Sequence, residues 1–207
     1  MTQYFHIHPE NPQPRLIKQA VQIIRNGGVI AYPTDSAYAL GCHLGDKDAL
    51  AKIVRIRQLD DKHHFTLLCR DLSEIATYAK VDNATYRLLK AHTPGAYTFI
   101  LTGSSEVPRR LMHPKRKTIG LRVPDHAICQ ALLAELNEPL LTATVQLPDE
   151  SEPLFDPDDI LERLGKQLDL VINGGFGTLM PTTVIDLSQE TGAQIIREGA
   201  GDATAFK

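Results

Sequence analysis

The chain has 207 residues, 43% of them hydrophobic, and a formal net charge of −3. No apolar run approaches the ~20 residues that a bilayer-spanning helix needs, and the first residues lack the pattern of a secretory signal. Three cysteines, Cys42, Cys69 and Cys129, lie in apolar surroundings with no metal-binding spacing, which fits reduced thiols in a cytoplasmic protein.

The charge is unevenly spread. From Arg109 to Arg122 there are six basic residues and no acidic one, whereas Glu135 to Glu162 holds nine acidic residues and no basic one. The distribution predicts a two-faced molecule. No linker or composition break divides the chain, so one domain is expected.

Residues 1–14 contain Pro9, Pro12 and Pro14 and read as an extended lead-in. A helix is predicted from about Arg15 to Asn26, with Leu16, Ile17, Ala20, Ile23 and Ile24 on one face and Gly27-Gly28 ending it. Val29-Ile30-Ala31 then reads as the end of a buried strand, stopped by Pro33, which has no N–H to donate. Thr34, Asp35, Ser36 and Tyr38 follow, with Gly41 expected to close the turn. Polar groups at the end of a buried strand are where open α/β sheets place ligands. An ordinary strand-to-helix turn stays open as the simpler account.

Asp46 is the expected cap of a helix with a stripe of Leu50, Ile53 and Val54. That helix ends on Arg55-Ile56-Arg57, before a polar loop from Gln58 to His64. Two guanidinium groups there can fork onto phosphate oxygens, although a solvated helix end accounts for the residues equally simply. His63-His64 has no nearby carboxylate or thiol to complete a metal set, and adjacent strand residues would face opposite ways, so no metal site is expected.

Further strands are predicted at Phe65–Cys69, Tyr97–Leu101, Thr118–Val123, Leu140–Gln146, Leu168–Ile172, Thr183–Leu187 and Gln194–Arg197. Helices are predicted from a capping box at Asp71–Glu74, around Ala84–Ala91, over Ile128–Leu136, and after the acidic loop to about Gly165. Strands alternating with helices imply an α/β fold, and the late strands without helices between them make the sheet mixed. Along Leu140–Gln146 the polar residues Thr142, Thr144 and Gln146 alternate with apolar ones and share a face that could line a pocket. Thr182 and Thr183 open a later strand in the same style.

Four segments, in this order, resemble the YrdC/YciO family, and its YciO branch most: Tyr32–Gly41, Pro94–Leu101, Gly120–His126 and Pro181–Asp186. The resemblance covers a core over about 19–199 and implies a single-domain, twisted, mixed open β-sheet with flanking helices and a concave basic cavity. It implies nucleotide and double-stranded RNA or tRNA as partners. It also implies threonylcarbamoyl-AMP synthesis from L-threonine, bicarbonate and ATP (with magnesium), with no tightly bound cofactor. Carried over by position, Thr34, Arg122, Thr142 and Thr182 would hold threonine. Arg57, Thr118, Thr144 and Arg197 would contact ATP or AMP. Lys115, Arg116 and Lys117 would meet RNA phosphates.

Where the family's synthases carry Lys-x-Arg and Ser-x-Asn, this chain has Arg55-Ile56-Arg57 and Thr144-Val145-Gln146, and the loop after Arg57 is about two residues longer. With Arg55, Arg57, Thr144 and Gln146 as the catalytic set, weak or altered activity is expected. A non-catalytic module that recognises structured RNA or a modified nucleoside is the alternative.

Overall fold

A computed structural model describes residues 1–60 and 62–207. Position 61, inside the loop that the sequence marks as longer, lies outside the described residues.

Ten strands form one sheet. They are β1 (Gln3–His6), β2 (Ile30–Tyr32), β3 (Ala39–His43), β4 (Thr66–Leu68), β5 (Tyr97–Thr102), β6 (Thr118–Arg122), β7 (Leu140–Thr144), β8 (Leu170–Asn173), β9 (Thr183–Asp186) and β10 (Gln194–Arg197). Their order is β1-β8-β2-β3-β7-β4-β6-β5-β9-β10. The pairing is mixed: β1–β8, β2–β8, β4–β6 and β5–β9 are parallel, and the other pairs antiparallel.

Among the described residues six α-helices flank the sheet: α1 (Pro14–Arg25), α2 (Lys47–Arg57), α3 (Leu72–Tyr78), α4 (Asn83–His92), α5 (Ala127–Leu136) and α6 (Pro157–Leu164). The capping chemistry acts as the sequence predicts. The Asp46 carboxylate accepts from the backbone N–H groups of Asp48 and Ala49 and opens α2. Asp71 accepts from Glu74 N–H at 2.9 Å and opens α3, while the Glu74 carboxylate reaches back to Arg70 N–H at 3.0 Å.

Two strands depart from the expectation. The lead-in is not merely extended, because Gln3–His6 pairs in register with Leu170–Asn173. Gly41 does not close a turn either; it sits inside β3, so the polar stretch joins two antiparallel strands and not a strand to a helix. A Cβ at Gly41 would lie 2.7 Å from the Tyr32 ring and 2.8 Å from Leu140. Glycine leaves the space that the Tyr32 ring and Leu140 occupy beside β3.

Period-2 alternation divides the sheet. Ile119, Leu121, Leu67, Leu141, Ala143, Phe99, Leu101 and Ile185 face one core, together with Ile53 and Ile56 of α2, Ile75 of α3, Leu89 of α4 and Ile160 of α6. The opposite face packs under α1 and α5 only over β8, β2, β3 and the ends of β4 and β7, through Leu170, Ile172, Ile30, Tyr32, Ala39, Leu68 and Leu140. Beyond that patch the same face carries Thr142, Thr66, Gly120, Thr98 and Thr182, and among the described residues no helix covers it. The link from β8 to β9, residues 174–182, joins strands that have six others between them.

Candidate functional site

The uncovered face forms the floor of a cavity of about 350 Å³. Strand register sets that floor: Thr142 lies opposite Thr66, Thr66 opposite Gly120, and Gly120 opposite Ile100. A Cβ at Gly120 would come 2.6 Å from the Thr66 hydroxyl and 3.2 Å from Thr98, so glycine keeps the floor low where three strands meet.

Three arginines arrive from three elements. Arg57 ends α2, and its Nη1 donates to the Gln146 carbonyl. Arg122 ends β6 and donates from Nη2 to the Asp35 carboxylate and, at 3.3 Å, to the Thr34 hydroxyl. Arg197 lies on β10 and donates from Nη2 and Nε to the Thr182 carbonyl at 2.9 and 3.2 Å. Burial, and then the neighbouring Arg197 guanidinium, lower the pKa of Arg57 from its ordinary value.

Among the described residues, four buried side-chain polar atoms have no hydrogen-bond partner: Arg57 Nε, Arg122 Nε, His64 Nε2 and Thr118 Oγ1. The first three belong to residues that line the cavity. Thr118 sits behind it on the same face of β6, 2% exposed. Buried donors are otherwise satisfied almost without exception, so orphans concentrated in one concavity mark it as built for a polar ligand.

Arg57, Arg122, Thr142, Thr144, Gln146, Thr182 and Arg197 all line the cavity. Some of their groups are already engaged. The Thr142 hydroxyl bonds Tyr32 Oη at 2.6 Å, and the Thr182 hydroxyl bonds that of Thr98 at 2.8 Å. Gln146 Nε2 donates to the Glu150 carbonyl at 2.9 Å, so its amide fastens the following turn.

Besides Thr118, other expected site residues stand apart from the lining. The Thr34 hydroxyl accepts from Ser36 N–H at 3.0 Å and donates to the Ala37 carbonyl at 2.7 Å, which makes it a turn lock that also touches Arg122. Arg55 is exposed and lines a separate surface depression with Lys52 and Lys166. Residues two apart on a helix diverge by roughly 200°, so only the second arginine of Arg55-Ile56-Arg57 can face the cavity. Lys115, Arg116 and Lys117 are exposed on the loop before β6, where Arg116 Nη1 lies 3.6 Å from the buried Asp186 carboxylate.

Both histidines join the site, against the sequence expectation. His63 and His64 precede β4, on a loop where strict strand alternation does not apply, and both line the cavity. Burial and the Arg57 charge bring the His63 pKa down to about 4. Burial, His113 and Arg116 lower His64, whose ring stacks on that of His113 with centroids 5.0 Å apart. No group of three or more His, Cys, Asp or Glu side chains among the described residues could hold a metal ion. Thr66 and Thr98 are further floor residues that sequence reasoning does not single out, although Thr98 lies within Pro94–Leu101, and their alternation with buried apolar neighbours is the signal that could have found them.

Comparison with known proteins places this geometry. A family model for Sua5, YciO and YrdC proteins, described as "Telomere recombination", matches residues 22–199. The uncharacterised protein YciO of Escherichia coli K12 is 58% identical over 206 residues, covering 100% of both chains. Its crystal structure superposes with a TM-score of 0.97. A threonylcarbamoyl-AMP synthase of Vibrio vulnificus is 26% identical over 187 residues, covering 88% of this chain and 98% of the synthase. The fold is also that of P. abyssi Sua5 complexed with L-threonine, with a TM-score of 0.87 at 23% identity, over 96% of this chain and 58% of that one. The family model spans most of the chain and the YciO relative is matched end to end, so the protein is a member of the Sua5/YciO/YrdC family.

Proposed function

We propose that the cavity binds a nucleoside triphosphate and L-threonine side by side, and that it supports a slow or altered form of threonylcarbamoyl-AMP synthesis. The observation that carries this reading is the pair of orphaned guanidinium N–H groups, Arg57 Nε and Arg122 Nε. They project from different elements and therefore suit two separate anionic groups, a phosphate chain and a carboxylate. The synthase relative and the Sua5 fold bound to threonine support the same assignment.

In that chemistry threonine and bicarbonate condense to a carbamate with loss of water. A carbamate oxygen then attacks the α-phosphorus of ATP, and pyrophosphate leaves. Arg57, with Arg197 and Thr144, would hold the phosphates with Thr118 behind them, while Arg122, Thr142 and Thr182 would orient threonine, with Thr34 steadying Arg122. Their work would be positioning and neutralisation of charge.

Arg55 faces away, so the arginine in place of lysine there leaves the cavity unchanged. The Gln146 amide is spent on Glu150, and this favours altered activity. It also favours the second reading, a cavity that binds its ligands without turnover while Lys115, Arg116 and Lys117 dock RNA.

Calorimetry with ATP and with L-threonine tests binding, and pyrophosphate release that needs both threonine and bicarbonate tests turnover. Arg57→Ala should weaken ATP by about 10-fold or more, since a charge-assisted contact contributes roughly 1.5–3 kcal/mol. Equal ATP affinity in variant and wild type places the phosphates elsewhere. Ligand binding without pyrophosphate release selects the non-catalytic reading.

A further inference from the structure

Four of the seven large apolar side chains that stand exposed among the described residues come from two neighbouring loops. Phe155 belongs to the acidic loop before α6, and Phe176, Leu179 and Met180 to the 174–182 link. The loops are joined by the bond from Gly177 N–H to the Phe155 carbonyl at 2.7 Å, and the rings of Phe155 and Phe176 lie with centroids 6.2 Å apart. Phe176 is 76% exposed. The backbone on both sides of it is fixed, at the Gly175 carbonyl by Tyr38 Oη and at Thr178 N–H by the Ser36 carbonyl, so the ring is held out in water. A lone exposed apolar side chain is ordinary, whereas a contiguous group with a polar rim marks an interaction surface.

The rim here is acidic. Phe155 and Leu179 share a surface depression with Asp149, Glu150, Glu152 and Asp159. Its one cation among the described residues, Arg163, is engaged by Glu150 and, at 3.7 Å, by Asp159. Asp149 and Glu152 are exposed, and neither forms an ion pair among the described residues. Charge then selects the occupant. Four carboxylates repel RNA phosphates and anionic lipid, and two copies meeting patch to patch would bring like charges together. The complementary surface is an apolar side chain flanked by lysine or arginine.

We propose that Phe155, Phe176 and Leu179, rimmed by Asp149 and Glu152, dock a segment of a partner protein that presents apolar side chains between basic residues. The aromatic and aliphatic groups supply the buried centre of the contact, and the carboxylates supply its register and its sensitivity to salt. The surface does not depend on what the cavity binds. It adjoins the cavity, because Pro181 and Thr182 follow Met180 into the cavity wall, so a docked partner stands beside the mouth.

The test uses capped hexapeptides and the backbone amide shifts of the isotope-labelled protein. The peptide KKFLKK carries both chemistries, KKGGKK lacks the apolar pair, and EEFLEE reverses the charge. KKFLKK should shift amides within 149–155 and 176–180. KKGGKK should bind about ten-fold more weakly, as expected for losing the burial of one large apolar side chain. EEFLEE should not bind, and raising salt from about 0.05 to about 0.5 M should weaken KKFLKK several-fold. Phe176→Ser should weaken KKFLKK roughly five-fold and leave KKGGKK unchanged. Asp149→Lys combined with Glu152→Lys should transfer the preference to EEFLEE.

Equal binding of KKFLKK and KKGGKK would reduce the surface to ion pairing, and equal binding of EEFLEE would make the acidic rim irrelevant. Either result overturns the proposal, as do shifts confined to the cavity or no shift with any peptide at millimolar concentration. A wild-type dimer in sedimentation that Phe176→Ser dissolves gives the surface to a second copy, and duplex RNA that moves the same amides gives it to nucleic acid. Both overturn it too. If Phe176→Ser does not fold, the three peptides on the wild type decide.

Discussion

His63 ties stability to acidity at a single residue. Burial and the nearby Arg57 charge bring its pKa from 6.5 to about 4, so the folded protein keeps the ring neutral where the unfolded chain would protonate it. The folded-state pKa lies below the unfolded one. The stabilising contribution is therefore whole above pH 6.5 and is lost as pH falls from there towards 4. His63→Gln should flatten the dependence of unfolding free energy on pH in that window, by up to about one proton of slope. Denaturant melts at closely spaced pH values measure it, and a slope identical to wild type would show that His63 titrates freely in the folded protein. The residue also marks what sequence can convey. Arg122 and Thr182 are legible because ordered motifs contain them, Thr142 because its strand alternates polar with apolar, and Arg57 because two arginines close a helix before a polar loop. His63 and His64 are not, since they sit on a loop, where the alternation of a strand gives no guide to which way a side chain points.

Within the elements, glycine decides how close the strands of the polar turn come. Gly41 lets Tyr32 lie across β3, and the Tyr32 hydroxyl in turn bonds Thr142 on the cavity floor at 2.6 Å. Gly41→Ala puts a methyl group into two fully buried neighbours, which should cost about 1–3 kcal/mol of stability. It should also move Thr142 and so weaken threonine binding. Thermal melting and threonine calorimetry read the two effects, and an unchanged melting temperature would show that the ring has room to move. β3 is hidden in the sequence for a related reason. A glycine three residues after a polar run resembles the end of a turn, and only the tertiary position of Tyr32 explains it in the middle of a strand. The lead-in is hidden because β1 is a short edge strand whose pairing partner lies more than 160 residues further along the chain. The helices are plain, since Asp46 and Asp71 act through bonds made within three residues.

Across the whole molecule, the two charged stretches are kept apart by the sheet. The basic loop enters β6 and touches β9 through Arg116 and Asp186, whereas the acidic loop feeds α6, which packs on β8. β8 and β9 lie near opposite ends of the strand order. If RNA docks on the basic loop, changing Lys115, Arg116 and Lys117 to glutamine should lower the slope of log affinity against log salt by about 0.7–0.9 for each phosphate that is no longer neutralised. Binding should be nearly indifferent to base sequence. An unaltered slope in a titration from low to physiological salt would leave these residues as solvated surface.

The short link between β8 and β9 has one more consequence, which concerns length. Seven interstrand steps of ~4.8 Å make an arc of roughly 34 Å along the sheet, and ten Cα steps can reach only about 33–36 Å when drawn straight. The link is not straight. It turns at Gly175 with φ +94°, and it is held by Tyr38 Oη to the Gly175 carbonyl at 2.7 Å and by Gly177 N–H to the Phe155 carbonyl at 2.7 Å. It therefore spans less than the arc, as a bowstring does, and the sheet must stay bent to meet it. The width of the cavity is thus written in a count of residues and not in any side chain. Lengthening 174–182 would let the bow relax and admit a broader ligand, whereas substitutions within it could change only how firmly a ligand of the present size is gripped.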